Sequence, residues 1–446
     1  LSVISDQQPS ITQLATLMCE SMMYSEAQHQ LKRIGQADLV IGIPTYRNAT
    51  TVGMVVQTAL DGVTADLGDL RTVLVNADAA PSDGTRQAVL DATADASIPV
   101  VTGGYTGTLG RGNAVRAIFQ AALALNAHAV VVLDAHTTSI TSDWVAALAR
   151  PVLEGQVDLM MPHYRWPLPS GGLSDLIFYP LTRALWGFDL RQPGAGDCAI
   201  SSALAQASAE HDVWETEVAA SGFEVWLSTM ALTEGPDPKS REQWRVGQVN
   251  LGEKSYVSRT YRTHFSLLFR HAVGTLLRQV QLRQAVWQAI LPIQPVPMFP
   301  GSPAAPVEPI PIPDTTLLTD ALMVGWTEHR ALWQRILTPI NLAAIEALAA
   351  QPVERFAFPP DLWAHVVYDF AVVYNKGERD PDRIVDSLLP LYQGRLASLW
   401  HEVAGLMPVG REGTVAAQAA EFEEARDYLH QRWEAYLPWI DSGEPR

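Results

Sequence analysis

The chain has 446 residues, of which 48% are hydrophobic and 18% charged, and its net charge is −17. Length and apolar content imply a globular protein of two domains, or one large domain with an appendage. The acidic balance argues against nucleic acid as a partner, because phosphate backbones need clustered Lys and Arg, but it leaves room for one phosphorylated small molecule on a local arginine.

Two cysteines, Cys19 and Cys198, cannot build a disulfide framework or a four-thiolate zinc site. That usage fits a reducing compartment, and a cytoplasmic location is expected. No basic stretch precedes an apolar core at the N-terminus, so no leader is expected. No apolar run approaches the ~20 residues of a transmembrane helix.

Residues 10–34 read as an amphipathic helix, with Ile11, Leu14, Leu17 and Met18 at helical spacing. They make residues 1–36 an N-terminal helical element. From Ala37 the pattern alternates between strand and helix. Strand-like runs cover 38–44, 72–78, 97–101, 129–134 and 157–162, with helical segments near 50–62, 84–95, 112–126 and 142–154 between them. Strands that are apolar almost throughout, separated by helices, predict a mostly parallel α/β sheet covered on both faces. Ligands of such sheets bind outside the carboxyl ends of the strands.

Residues 163–200 read as a loop-rich stretch carrying 191-RQPGAGD-197, and 222–232 as a strand-to-helix or helical element. A helix-rich stretch follows over about 258–290. Residues 292–313 then hold nine of the thirty prolines, a density expected of an extended, semi-rigid spacer. Beyond Asp314 the chain is strongly helical. The expected organisation is therefore a sheet domain over 37–291, a Pro-rich linker over 292–314 and a C-terminal helical domain over 315–446.

Two places draw attention for chemistry. In 130-VVVLDAH-136 an extended strand end would put Asp134 and His136 on one side, where they could hold a metal ion or simply face solvent. In 110-GRGNAV-115 a cation flanked by glycines opens a helix, where free backbone N–H groups favour an anion and Arg111 adds a bidentate phosphate donor.

Taken in order, the pieces 43-IPTYRNATTV-52, 78-DAAPSDGT-85, 110-GRGNAV-115, 134-DAH-136, 191-RQPGAGD-197, 222-GFE-224 and 251-LGEK-254 resemble nucleotide-sugar glycosyltransferases of the GT-A fold. Within these they look most like the retaining glucosyl-3-phosphoglycerate synthase and mannosylglycerate synthase group, over roughly residues 37–290. The resemblance implies a GT-A (Rossmann-like) sheet and transfer of glucose or mannose, with retention, from a UDP- or GDP-sugar to a small hydroxylated acceptor such as glycerate. It implies a divalent cation, Mn2+ or Mg2+, on Asp134 and His136, and a cytoplasmic enzyme for which a homodimer is allowed.

Carried over residue by residue, Pro44, Thr45, Tyr46, Asn48, Asp78, Gly110 and Arg111 would take the nucleotide sugar. Asp134, Asp197 and Glu224 would serve the chemistry, and Ser174, Gly196 and Lys254 the acceptor. Asp197 and Glu224 could instead be structural carboxylates paired with Arg191 or Arg165. Three departures stand out: 171-GGLSD-175 has Leu173 where the resembled enzymes carry an arginine for the acceptor phosphate, His136 replaces the second acid of an Asp-x-Asp pair, and Tyr256 replaces a metal-ligating histidine. The first favours an unphosphorylated acceptor. The rivals are a sugar-nucleotide binder that has lost catalysis, and a nucleotidyltransferase. The latter expects a Gly-rich loop after the first strand, and 44–50 contains no glycine.

Overall fold

The computed structural model describes residues 22–80, 82–165, 171–237, 242–256, 265–289, 292–302, 314–377 and 379–436. Cys19, residues 10–21 of the expected N-terminal helix and residues 303–313 of the proline-rich stretch lie outside them.

Helix α1 (Ser25–Ile34) leads into the alternation β1 (Leu39–Thr45), α2 (Val52–Asp66), β2 (Thr72–Asp78), α3 (Thr85–Ala92), β3 (Val100–Gly103), α4 (Arg111–Ala124), β4 (Ala129–Val132), α5 (Asp143–Leu153) and β5 (Leu159–Arg165). A helical segment with widened turns over Ser174–Phe178 and Thr182–Trp186 follows. Next come β6 (Phe188–Asp189), β7 (Cys198–Ser201), α6 (Ser202–Glu210), α7 (Phe223–Thr233), β8 (Val246–Glu253), α8 (Phe265–Leu282), α9 (Gln284–Trp287), β9 (Gln294–Pro295) and β10 (Met298–Phe299). The remainder is helical: α10 (Thr316–Ile336), α11 (Pro339–Ala349), α12 (Pro360–Lys376), α13 (Pro381–Val403), α14 (Pro408–Glu424) and α15 (Arg426–Ala435). No described helix is long and apolar enough to cross a membrane.

The eight-stranded sheet runs β10-β8-β5-β7-β4-β1-β2-β3. Every neighbouring pair is parallel except those of β7, which runs antiparallel to both β4 and β5. All seven residues of β1 and of β2 are buried, as expected of central strands covered on both faces. Helix-flanked and mostly parallel, the sheet is the one the strand-and-helix alternation predicts. Because β7 is reversed, it begins where β4 finishes, with Cys198 opposite Val132. Asp197 is thus delivered to the carboxyl end of the sheet.

Pro44 lies inside β1, one residue earlier than a strand-end turn would require. Thr45 accepts from Ala79 N on the β2 side, so Pro44 faces the other side. There the pairing with β4 has already stopped at Gly42, and no ladder bond is lost.

Packing cuts across the expected domain boundary. One core surrounds the sheet. The other joins Leu173–Trp186, Phe269–Trp287 and the C-terminal helices from Leu322 to Trp433. The start of the proline-rich stretch is also no free spacer. Met298 and Phe299 extend the sheet beside β8, Gln248 N donates to Pro297 O at 2.8 Å, and Ser302 N donates to Asn250 O at 2.8 Å. Proline is tolerated there because β10 is the edge strand.

Candidate active site

Asp134 lies two residues beyond the end of β4. The expected extended geometry for 134–136 is not what the chain adopts. Thr137 N bonds back to Asp134 O at 3.1 Å, closing a turn in which Asp134 Oδ1 accepts from His136 N at 3.0 Å and lies 3.2 Å from His136 Nδ1. The two side chains do meet, but through a self-bonded Asp turn and not by strand alternation. The turn is stitched to the end of β8: Thr138 N donates to Ser255 O at 2.9 Å and Ser139 Oγ to Glu253 O at 2.8 Å.

Lys254, fully buried between Glu253 and Ser255, is thereby aimed at the acids. Its ammonium bonds Asp197 Oδ2 and stands 3.6 Å from Asp134 Oδ2. It rests on the rings of Tyr164 and Tyr256 at 4.9 and 5.1 Å. Asp197 is enclosed on every side. Tyr164 Oη donates to Oδ2 at 2.6 Å and Asp134 N to Oδ1 at 2.7 Å. Burial and the neighbouring Asp197 hold the Tyr164 hydroxyl well above its ordinary pKa, so it stays a donor.

Burial alone would raise the Asp134 carboxyl, but Lys254, His136 and Arg111 together keep it well below the usual range. Arg111, at the start of α4, bonds Glu224 through Nε and the carbonyl of Gly196 through Nη2. Burial opposes its charge, yet Glu224, Asp134 and Asp197 more than restore it. Gly196 is where these groups converge. A Cβ there would sit 3.0 Å from Asp134 Oδ2, 3.4 Å from Lys254 Nζ and 3.5 Å from Arg111 Nη2.

The glycine-flanked helix start works differently from expectation. Gly110 N donates to Tyr105 Oη at 3.1 Å and Gly112 N to Ala220 O at 2.9 Å, so two of its N–H groups are already spoken for. Both glycines serve close packing: a Cβ on Gly112 would come 1.9 Å from Val218 O, and one on Gly110 2.5 Å from Ala219 O. With those two N–H groups taken, the Arg111 side chain is the main anion-attracting element at this helix start.

At the neighbouring strand ends, Thr45 Oγ1 donates to Asp78 Oδ1 at 2.9 Å, and Asn48 Oδ1 accepts from Tyr46 N at 2.8 Å. Asn48 Nδ2 and Asp78 Oδ2 are buried with no hydrogen-bond partner. Burial pushes the Asp78 carboxyl up despite hydrogen bonds from Ala80 and Thr45. Tyr46 is 47% exposed, with the Arg47 guanidinium 5.3 Å above its ring. Ser174 is not joined to the cluster by any hydrogen bond. It lies buried in the widened helix after Leu173, and its Oγ has no partner. Leu173 is itself part of the second core.

The alternative pairings of the acids also resolve. Arg191 takes Asp175 and Glu412, leaving Asp197 to Lys254 and Glu224 to Arg111. Burial pushes the Cys198 thiol up to about 12, so it is held as the neutral thiol. Tyr164 carries no motif and was not foreseen; the only signal was the continuation of polar and aromatic residues past 162.

Asp134 and His136 are two groups able to ligate a divalent cation, and no set of three or more His, Cys, Asp or Glu donors exists among the described residues. Lys254 and Arg111 flank Asp134, so a cation there needs extra negative charge beside it. A diphosphate brings both charge and oxygens. The pair could therefore hold a divalent cation only together with an anionic ligand that supplies further oxygens.

The acidic and cationic cluster lies at the carboxyl ends of a mostly parallel α/β sheet, the edge where such sheets receive their ligands. No family model matches the chain, and no curated protein matches it. Among solved structures it is similar to glucosyl-3-phosphoglycerate synthase from Mycobacterium tuberculosis in complex with Mn2+, UDP and phosphoglyceric acid, at 19% identity over 57% of this chain and 82% of that one, with a TM-score of 0.41. The same enzyme with Mn2+, UDP-glucose and glycerol 3-phosphate gives 19% identity, 57% and 83% coverage and a TM-score of 0.40. Its complex with Mg2+ and UDP gives 18%, 57%, 83% and 0.38.

Proposed function

We propose that the chain is a retaining glycosyltransferase that moves a hexose, glucose or mannose, from a UDP- or GDP-sugar to a small hydroxylated acceptor such as glycerate. The observation that carries this reading is the cluster of Arg111, Asp134 and buried Lys254 around Gly196, with His136 against Asp134, at the carboxyl ends of the strands. Beside it, Asn48 Nδ2 and Asp78 Oδ2 are a donor and an acceptor without partners, suited to a base or ribose edge. The exposed Tyr46 ring offers a stacking face.

Breaking the bond from the sugar C1 to the diphosphate leaves negative charge on the departing oxygen. Cations fixed in a buried site stabilise that charge without reorganising. Half-buried Arg111 and buried Lys254 are such cations here. Lys254 and Gly196, expected at the acceptor, thus serve the donor phosphates, because the missing side chain at 196 lets phosphate oxygens approach both cations. A divalent cation held with Asp134 and His136 would add Lewis-acid stabilisation of the same charge. A diphosphate at Arg111 competes with Glu224, which releases that carboxylate to orient the acceptor hydroxyl. The acceptor oxygen then attacks from the face the diphosphate leaves, and its proton passes to the leaving phosphate. Asp197, saturated by Lys254, Tyr164 and Asp134 N, holds Lys254 in place and does not orient the acceptor.

Thermal-shift measurements with UDP- and GDP-sugars, with and without Mn2+, test the reading, since ligand bound to the native state raises the melting temperature. Stabilisation by a nucleotide sugar and transfer to glycerate are expected. With Leu173 buried in the second core and no arginine at that position, 3-phosphoglycerate should be the poorer acceptor. No stabilisation by any nucleotide sugar overturns the proposal. Stabilisation without any product would favour the rival, a sugar-nucleotide binder that has lost catalysis.

A further inference from the structure

The C-terminal helical region reaches the loop that carries Gly196 and Asp197. In the second turn of α14, Glu412 Oε2 accepts from Arg191 Nε at 2.7 Å. Arg191 is buried, donates through Nη2 to Asp175 Oδ1 at 2.9 Å, and stacks over the Tyr179 ring at 4.9 Å. Arg411, the preceding residue of α14, closes the group by donating to Asp175 Oδ2 at 3.2 Å. The backbone of Arg191 is pinned as well, its N–H donating to Gln248 Oε1 at 2.8 Å.

The next residue passes the constraint onward. Gln192 Oε1 accepts from Tyr164 N at 2.9 Å, and Gln192 Nε2 donates to Tyr164 O at 2.7 Å. Tyr164 in turn holds Asp197 through its hydroxyl. His163 and Tyr164 are successive on β5, so their side chains take opposite faces. His163 Nε2 lies 3.9 Å from Glu412 Oε2 on one face, while Tyr164 touches Asp197 and Lys254 on the other.

We propose that Glu412 is a positioning residue: by holding Arg191, it fixes the loop 191–197 and with it the Gly196 carbonyl and the Asp197 carboxylate that seat Arg111 and Lys254. The inference rests on reading the Lys254 cluster as the donor site. Glu412 touches none of the groups proposed to meet substrate, so its effect on the site is through the loop.

The test uses the full chain with E412A and E412Q, following hydrogen–deuterium exchange of 191–197, the melting temperature, and kcat and KM for the nucleotide sugar. E412A should speed exchange in 191–197 by about tenfold, with exchange in α12 unchanged, because local opening is separable from global unfolding. It should lower kcat by about tenfold with donor KM little altered, the signature of an interaction felt in the transition state. E412Q keeps an oxygen to accept from Arg191 and should recover most of both. Unchanged exchange in 191–197, exchange raised equally in α12, or no recovery in E412Q overturns the proposal. If no nucleotide sugar binds the parent chain, the donor-site reading fails, and the exchange data still decide whether Glu412 fixes the loop.

Discussion

Tyr164 donates its hydroxyl to Asp197 Oδ2 at 2.6 Å, and Asp197 is left with no oxygen open to a ligand. Lys254 bonds the same oxygen and Asp134 N the other. Replacing Asp197 by Asn should strip the charge facing a fully buried ammonium. Breaking such a buried pair typically costs about 3–5 kcal/mol. Urea unfolding of Asp197→Asn should show a loss of that order; a change near zero would mean that Lys254 finds another anion.

Arg111 is held between Glu224 and the Gly196 carbonyl. If it also meets the diphosphate, Arg111→Ala should weaken UDP binding by about 1.5–3 kcal/mol, the scale of hydrogen bonds to charged groups. Uridine, which lacks phosphate, should bind nearly as before. Calorimetry of both ligands separates the cases, and equal losses would point to general damage around Glu224.

Metal binding should depend on nucleotide. With two donors on the chain and two cations beside them, Mn2+ should bind weakly alone and more tightly with UDP or GDP present. His136→Ala should lower the nucleotide-dependent affinity at least roughly tenfold, the lower end of what losing even a supporting group costs a metal site. Titration calorimetry reads this directly. Unaltered affinity in the mutant leaves Asp134 as the only ligand of this turn.

Far from the site, Asp38 at the entrance to β1 bonds Arg71 through both oxygens, which lowers its carboxyl to about 2. An unfolded aspartate titrates near ~3.9. Between those values the unfolded chain holds the extra proton, so stability rises with pH there. The contribution is complete above about 3.9 and is lost as pH falls toward 2. Asp38→Asn should flatten the melting-temperature profile in that window, and an unchanged profile would show that other carboxylates set it.

Much of this was legible in the sequence because apolar runs and helical spacing report burial directly. The strands near 38, 72 and 129 and their helices read correctly for that reason. β7 did not, since Cys198–Ser201 is four residues long and follows a glycine-rich loop that looks like a turn. β8 was missed because Gly247, Gln248 and Asn250 dilute its apolar character. In the site, Asp134, His136, Arg111, Asp197, Glu224 and Lys254 were all named, and the fold brings them together. Their pairings were not legible, because they depend on the reversal of β7 and on a turn at 134–137 that no local pattern marks. Gly110 and Gly112 misled most: a motif expected to cradle an anion is instead a packing surface for residues 218–220.

The second core also has a consequence for synthesis. Leu173–Trp186 is finished early, yet its apolar partners extend to Trp433, some 250 residues later. At ~5–20 residues per second the ribosome needs roughly ten to fifty seconds to supply them. During that interval Leu176, Ile177, Leu181, Leu185 and Trp186 have no finished surface to cover them, while the sheet around β1, β2 and β4 already has most of its own. A chain stopped at the proline-rich stretch would stay in that state permanently. Expression of the first 291 residues alone should therefore yield a chaperone-bound or aggregated product, and the shortest soluble fragment should be one that keeps the helices through Trp433.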